Sequence, residues 1–515
     1  MPRDGNTNPP APRAIVIGAG FGGMAAALRA RRLGYQVTLV DRMPALGGRA
    51  RVFRQDGFTF DAGPTVITAP QLIEELFALF GERMADHVTM LPVRPWYRIL
   101  FADGRSFDYG SSAEEMRQAV AAFSPGDVDG YDRLMERSRA LYDVAFVQYG
   151  THSFHSLAIM LRALPALVRL GGYRSVSGLV ARYIKDEALR RVFSLQPLLV
   201  GGHPFRTPAF YALITHLEQK WGVWFPQGGT GALVTALEAL MLRQGIDVQC
   251  GRTVARILVE HKRASGVAFD DGTTLAADIV IANADAPQVH AVLTAGGRSA
   301  VLTAGGRAQQ VATPTPKATR VDRMEYSFGL FVMCFGADRS WPDVAHHTII
   351  LGERWKSLLN EIFDGAELPP DPSLYLHRPA ATDPSLQPPG HDGFYVLAPV
   401  PNLRSRIDWA AASVRLRDQV VRELEDRVLP GLSRHIVTER IMTPVDFEQD
   451  YLSRHGAGFS IAPTLRQSAW LRFHNRAPLP GLYLVGAGTH PGAGVPGVLT
   501  SAKVVEKLLS QELTR

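Results

Sequence analysis

The hexapeptide Gly18-Ala19-Gly20-Phe21-Gly22-Gly23, with Asp41 about 20 residues further on, has the residue types and spacing that hold a dinucleotide. Gly18 allows a tight turn, Gly20 lets a pyrophosphate approach the backbone, and Gly23 lets a helix pack closely on a strand. The helix that follows offers free N–H groups and a positive dipole end to phosphates. Asp41 is placed to accept from ribose hydroxyls, with Ala19 and Arg42 beside these positions. A second close approach comes at Gly47-Gly48-Arg49, where a cation is added to the paired glycines. A third runs from Val485 through Gly488 to Val495-Pro496-Gly497, ahead of a final helix reaching Leu509. It lies too near the end to begin a second dinucleotide domain, so one nucleotide is expected and FAD is the reading. Pro496 suits the first residue of a helix. The N–H groups from Gly494 to Val498 would then stabilise negative charge on a reduced flavin ring.

The elements that must position these residues are legible from local pattern. Apolar Ala14 to Ile17 predicts a strand, a helix runs to Gly34, and a second strand covers Val37 to Val40. A further strand, Phe58 to Phe60, runs into Asp61. Thr230 is expected to cap a helix over 231–242, and short strands follow at Val248, Val254 to Val259 and Val267 to Phe269, with a hairpin signal at Asp271-Gly272. An apolar strand then ends at Asn283. The fold class expected is α/β: a discontinuous Rossmann-like FAD-binding domain built from 13–70, 225–290 and 480–515, beside a mixed helical and strand substrate and membrane domain. Residues 71–224 read as a helix-rich, substrate- and membrane-facing unit with breaks at Pro165, Gly171 and Gly172. Residues 291–479 read as a second substrate-side insertion, with strands at Phe328 to Phe335 and Tyr395 to Pro399 and a helix at Ala411 to Val428. The octapeptide Ala-Val-Leu-Thr-Ala-Gly-Gly-Arg occurs twice, at 291–298 and 300–307. That period is too short for a repeat architecture and reads as a duplicated surface loop.

A chain of 515 residues calls for more than one domain, and 46% hydrophobic with 20% charged residues excludes a disordered chain. The net charge of +6 is spread along the sequence, which argues against a nucleic-acid stripe and is compatible with an anionic membrane surface. No segment has the ~20 unbroken apolar residues of a spanning helix. Residues 1–12 are not of signal-peptide type. The expectation is a cytoplasmic protein, soluble or peripherally attached to the cell membrane, with the stretch Leu157 to Leu170, including Arg162 and Arg169, as a candidate interfacial helix. Cys250 and Cys334 read as buried thiols, and no metal-ligand spacing is present.

Five segments together resemble the bacterial-type phytoene desaturases, a family of carotenoid desaturases. They are Gly18 to Gly23, Leu46-Gly-Gly-Arg-Ala50, Gly57-Phe-Thr-Phe-Asp-Ala-Gly-Pro-Thr-Val-Ile-Thr68, Trp221-Gly-Val-Trp-Phe-Pro-Gln-Gly-Gly-Thr-Gly-Ala-Leu233 and Val485 to Gly497. His346-His347-Thr348, Leu374-Tyr375-Leu376-His377 and Gln467-Ser468-Ala469-Trp470 extend the match over nearly the whole chain. The resemblance implies a fold like the flavin amine oxidases, non-covalent FAD, and dehydrogenation of the polyene phytoene at a membrane, with a quinone or oxygen as electron acceptor. It assigns the ADP half of FAD to Gly18, Gly20, Gly22, Asp41, Gly48 and Arg49 and the adenine to the Val254 backbone. Gly488, Val495 and Pro496 would lie near the flavin. The family usually has Glu where Asp41 stands.

Trp96, Tyr97, Phe146, Phe154, Trp221, Trp224 and Phe225 would suit a hydrocarbon channel as a set. Removing a hydride next to a conjugated system leaves a cation that the polyene spreads, so only a modest base is needed for the neighbouring proton. Glu218 and His203 are the candidates. Other readings on the same scaffold are a related carotenoid dehydrogenase or isomerase, a flavin amine oxidase, and a non-catalytic lipid carrier. A carrier has no use for the glycine segment at Val485 to Gly497.

Overall fold

A computed structural model of the chain describes residues 11–153, 157–290 and 321–514. The opening strand, Arg13–Ile17, is buried on both sides, and its alternate residues enter two different cores. Ala14 and Val16 face a helical layer, whereas Ile15 and Ile17 face a small second sheet. A strand covered on both faces is the mark of a central parallel strand, and its near-continuous apolar run follows from that.

The parallel sheet has five strands, in the order Asp247–Cys250, Gln36–Asp41, Arg13–Ile17, Ile279–Ala282 and Leu482–Leu484. They come from three distant stretches of chain, with Ala14 opposite Ile279 and Ile281 opposite Tyr483. Helices Phe21–Arg32, Thr230–Arg243 and Val495–Leu513 cover one face. Arg29, which is buried, ties this layer to the neighbouring helix Gln71–Ala78 by pairing with Glu75 at 3.2 Å and Glu506 at 2.5 Å. The other face carries three antiparallel strands, Val254–Glu260, Arg263–Phe269 and Thr274–Ala276, the last two joined by a turn in which Gly272 has φ +85°.

The substrate side is built on a seven-stranded sheet. It runs through Ile436–Met442, Gly329–Ala337, Asp392–Val400, Leu374–His377, His347–Ile350, Tyr97–Leu100 and Ser106–Tyr109. Its last two strands belong to the stretch 71–224 that the sequence reads as helix-rich. Tyr97, Ile99, Phe107 and Tyr109 are buried in alternation with more exposed neighbours, a period of two that places them in a sheet. Pro165 also departs from expectation, lying inside the helix Leu157–Arg169 rather than at its break. The carbonyl that loses its donor belongs to Leu161 on the exposed face, where water can serve it. Cys250 is half-buried, whereas Cys334 is buried and its thiol is pushed up to about 12 by desolvation. The duplicated octapeptide and Phe154 lie outside the described residues.

Candidate functional site

The glycine turn is shaped by its neighbour strand as much as by its own sequence. Gly18 has φ +93°, and a Cβ on Gly23 would stand 1.8 Å from the Gly18 carbonyl. A Cβ on Gly22 would meet Asn283 Oδ1 at 2.5 Å, so the end of the strand Ile279–Ala282 closes this side. Gly47, at φ +106°, bridges to Gly20 and brings Gly48 and Arg49 to the same mouth. Asp41 fastens the turn: its carboxylate accepts from the Ala19 N–H at 2.6 Å and the Met43 N–H at 2.8 Å. Burial raises its pKa, and those two hydrogen bonds oppose the rise.

Arg49 donates through Nη2 to Ser453 Oγ at 3.1 Å, while its buried Nε has no partner. An orphaned guanidinium N–H beside a glycine cradle fits a phosphate oxygen, and desolvation already depresses the Arg49 pKa. Arg42 is exposed and donates to the Gln449 and Asp450 carbonyls. Val254 begins its strand opposite Phe269.

These groups open on one cavity of about 1620 Å³. Gly18, Gly20, Gly22, Asp41, Arg42, Gly48, Arg49, Val254, Val495 and Pro496 all line it. Ala19 and Gly23 do not; they stand behind the wall as parts of the turn. Gly488 is also behind it, where a Cβ would come 2.9 Å from both Ala286 Cβ and Ser460 Oγ. Pro496 is the second residue of the final helix rather than the first, and the Val498 N–H is already bonded to the Gly494 carbonyl.

The cavity continues past Val495 into an apolar chamber walled by Leu198, Phe210, Leu217, Trp355, Leu358 and Leu397. One site for a small molecule takes about 300–1,000 Å³, so the space suits a dinucleotide and a second, apolar occupant. Of the aromatics expected to form a channel, Phe146 lines the cavity. Trp96, Tyr97 and Phe225 are packed in the core of the substrate side, and Trp221 and Trp224 are half-buried off the cavity wall. The wall mixes aliphatic side chains with other aromatics, Phe210, Phe328, Trp355 and Phe459 among them, and such residues carry no sequence signal that separates them from ordinary core.

Glu218 is fully buried at the edge of this chamber. Tyr97 OH donates to it at 2.9 Å and Tyr109 OH at 3.1 Å. Desolvation pushes its carboxyl up to about 7, against the pull of the two phenols. A carboxyl that titrates near neutrality beside an apolar cavity is equipped to accept a proton. His203 differs. It lies off the cavity wall, with its ring nitrogens bonded to Asn360 Oδ1 at 3.2 Å and to the Phe205 N–H at 3.1 Å. Burial lowers its pKa to about 4, so it is a neutral structural residue.

The sequence does not single out Tyr375 as a site residue, yet its OH lines the chamber between Thr65 Oγ1 at 2.6 Å and His347 Nδ1 at 2.7 Å. His346, His347 and His377 bring ligand atoms within 4.8 Å of one another, a grouping able to hold a metal. They are buried and held neutral by desolvation, His346 Nε2 contacts His377 Nε2 at 3.1 Å, and the charge acting on His346 is the Arg378 guanidinium. A dication there would sit beside a cation, so the trio reads as a neutral hydrogen-bonded core.

Residues 21–505 match the family model described as flavin containing amine oxidoreductase. The chain is similar to a lycopene-forming phytoene desaturase of Paracoccus sp., 45% identical over 98% of this chain and 99% of the relative. It is also similar to a neurosporene-forming phytoene desaturase of Rhodobacter capsulatus, 39% identical over 96% of this chain and 94% of the relative. Among solved structures, an oxidoreductase from Methanosarcina mazei aligns with TM-score 0.62 at 18% identity, covering 96% of this chain and 100% of that one.

Proposed function

This chain belongs to the flavin containing amine oxidoreductase family, and within it to the bacterial phytoene desaturases, and from that premise we propose that it desaturates phytoene to more conjugated carotenes such as neurosporene or lycopene. It is an FAD-dependent oxidoreductase acting on CH–CH groups. The observation that carries the substrate reading is the one cavity that joins a glycine cradle to an apolar chamber. Bound FAD supplies the hydride acceptor. The chain's own residues bind, orient and exclude water. Gly18, Gly20, Gly22, Gly48 and Arg49 would hold the pyrophosphate, Asp41 and Val254 would border the ADP end, and Val495 with Pro496 would border the ring. The chamber wall aligns a CH₂ next to the conjugated system. That carbon gives up a hydride with its bonding pair, and the neighbouring carbon releases a proton as its C–H pair becomes the new double bond. Glu218 takes the proton.

The nucleotide part comprises 13–70, 225–290 and 480–515, and the remainder builds the chamber and its approach. The helix Leu157–Arg169 presents Leu161, Leu164 and Val168, exposed by 58%, 41% and 49%, with Arg162 and Arg169 beside them. Ala163 and Leu167 of the same helix line the cavity. Its outer face would therefore rest in a membrane interface and pass an apolar substrate inward. No helix among the described residues is long and apolar enough to cross a membrane. Peripheral attachment on the cytoplasmic side and a membrane quinone, or oxygen, as final electron acceptor complete the reading. Expression in a phytoene-making host, with chromatography of the extracted pigments, tests it. New conjugated carotenes are expected, and unchanged phytoene beside a flavin-loaded protein would sink the substrate assignment.

A further inference from the structure

Arg472 is a buried arginine, 2% exposed, to which the chemistry above gives no role. Its four hydrogen bonds all go to main-chain carbonyls: Thr489 at 3.0 Å, Ala487 at 2.6 Å, Gln467 at 3.3 Å and Ile461 at 3.5 Å. Two of these lie in the glycine segment that lines the cavity, and a Cβ on Gly492 would stand 3.9 Å from Arg472 Cζ. The guanidinium is thus one backbone layer behind the cavity wall. The acidic groups within its electrostatic reach are the Tyr211 phenol and one carboxylate, Asp285, which also faces Arg49 and accepts from Ser460 Oγ. One carboxylate shared by two arginines, Arg472 buried and Arg49 half-buried, leaves positive charge in surplus. Arg49, with its free Nε, has the pyrophosphate to answer it. Arg472 lies at the other end, with its N–H groups on main-chain carbonyls and its Cζ close behind Gly492. A buried cation is costly unless a counter-charge compensates it.

We propose that Arg472 is a positioning residue for the bound flavin, clamping the segment 487–492 and stabilising, from behind the wall, the negative charge that the ring takes up on reduction. A ring that gains a hydride and no further proton carries one negative charge, so the balance needs no other reactant. The inference rests on the flavin ring lying against residues 487–498. It does not depend on the identity of the substrate.

The test is the two-electron potential of the FAD-loaded protein followed against pH, with free FAD measured alongside. The wild-type potential should change from two protons to one proton per two electrons at a pH at least one unit below that of free FAD, a tenfold shift in ionisation. Arg472→Lys keeps the charge and should stay acid-shifted. Arg472→Met should return the break to that of free FAD or above, with FAD still bound. A wild-type break no lower than that of free FAD overturns the proposal, and so does a Met variant with full FAD and an unmoved break. If the Met variant fails to hold FAD, the wild-type and Lys curves decide: a Lys curve that loses the acid shift overturns it.

Discussion

At the scale of single residues, burial turns ordinary side chains into reactive or fragile ones. Glu218 is raised from 4.5 to about 7 by desolvation. A folded-state pKa above the unfolded one means that its contribution to stability is present below about pH 4.5 and is lost as pH rises through about 7. The shift corresponds to about 3 kcal/mol. Glu218→Gln removes that cost, so its melting temperature should exceed wild type at pH 8 and match it at pH 4.5, by calorimetry on the apoprotein. The same variant should keep FAD and lose turnover by a factor of about 10²–10⁴, the usual worth of a general base. A variant that turns over normally would remove Glu218 from the reaction. Gly23 is fragile for a different reason. Its missing Cβ leaves room for the Gly18 carbonyl, so Gly23→Ala should open the turn and lower FAD content, read by flavin absorbance per chain, even where the chain still folds.

At the scale of elements, the ends of helices carry much of the design. Thr230 is expected from sequence to cap the helix Thr230–Arg243, but its hydroxyl donates to the Pro64 carbonyl instead. The cap comes from Asp61, whose carboxylate accepts from the Thr230 N–H at 2.7 Å and the Gly231 N–H at 3.1 Å. Burial lifts Asp61 to about 6. Asp61→Ala should destabilise the protein by about 1–2 kcal/mol in urea titration at pH 5, and Asp61→Asn should recover part of it because its amide oxygen still accepts one of the two N–H groups. The helix Leu157–Arg169 makes a separate prediction. Replacing Leu161, Leu164 and Val168 together by Gln should leave the fold and FAD content unchanged and weaken flotation with anionic vesicles several-fold. Vesicle binding equal to wild type would dismiss this helix as the docking face.

At the scale of the whole molecule, the parallel sheet is completed only when the last strand, Leu482–Leu484, pairs with Ile279–Ala282. Truncation after Pro480 should therefore abolish FAD binding and the cooperative melt together, since the final helix also packs against Phe21–Arg32. A truncated chain that melts cooperatively would show that the first two segments close a core alone. The sequence by itself determined the opening strand, helix and strand, the glycine cradle and the family, because each depends on local periodicity or on positions where a side chain cannot fit. It also pointed to Glu218, through its place beside the Trp221 to Leu233 segment. It could not separate Glu218 from His203, since both lie near aromatic and glycine-rich motifs; only the fold sets one on the cavity and turns the other toward Asn360. The strands Tyr97–Leu100 and Ser106–Tyr109, the apolar chamber, and the Asp61 cap were likewise decided by tertiary structure. Strand pairing, cavity walls and caps between distant segments are made by residues of common types, whose role is set by what the chain brings against them.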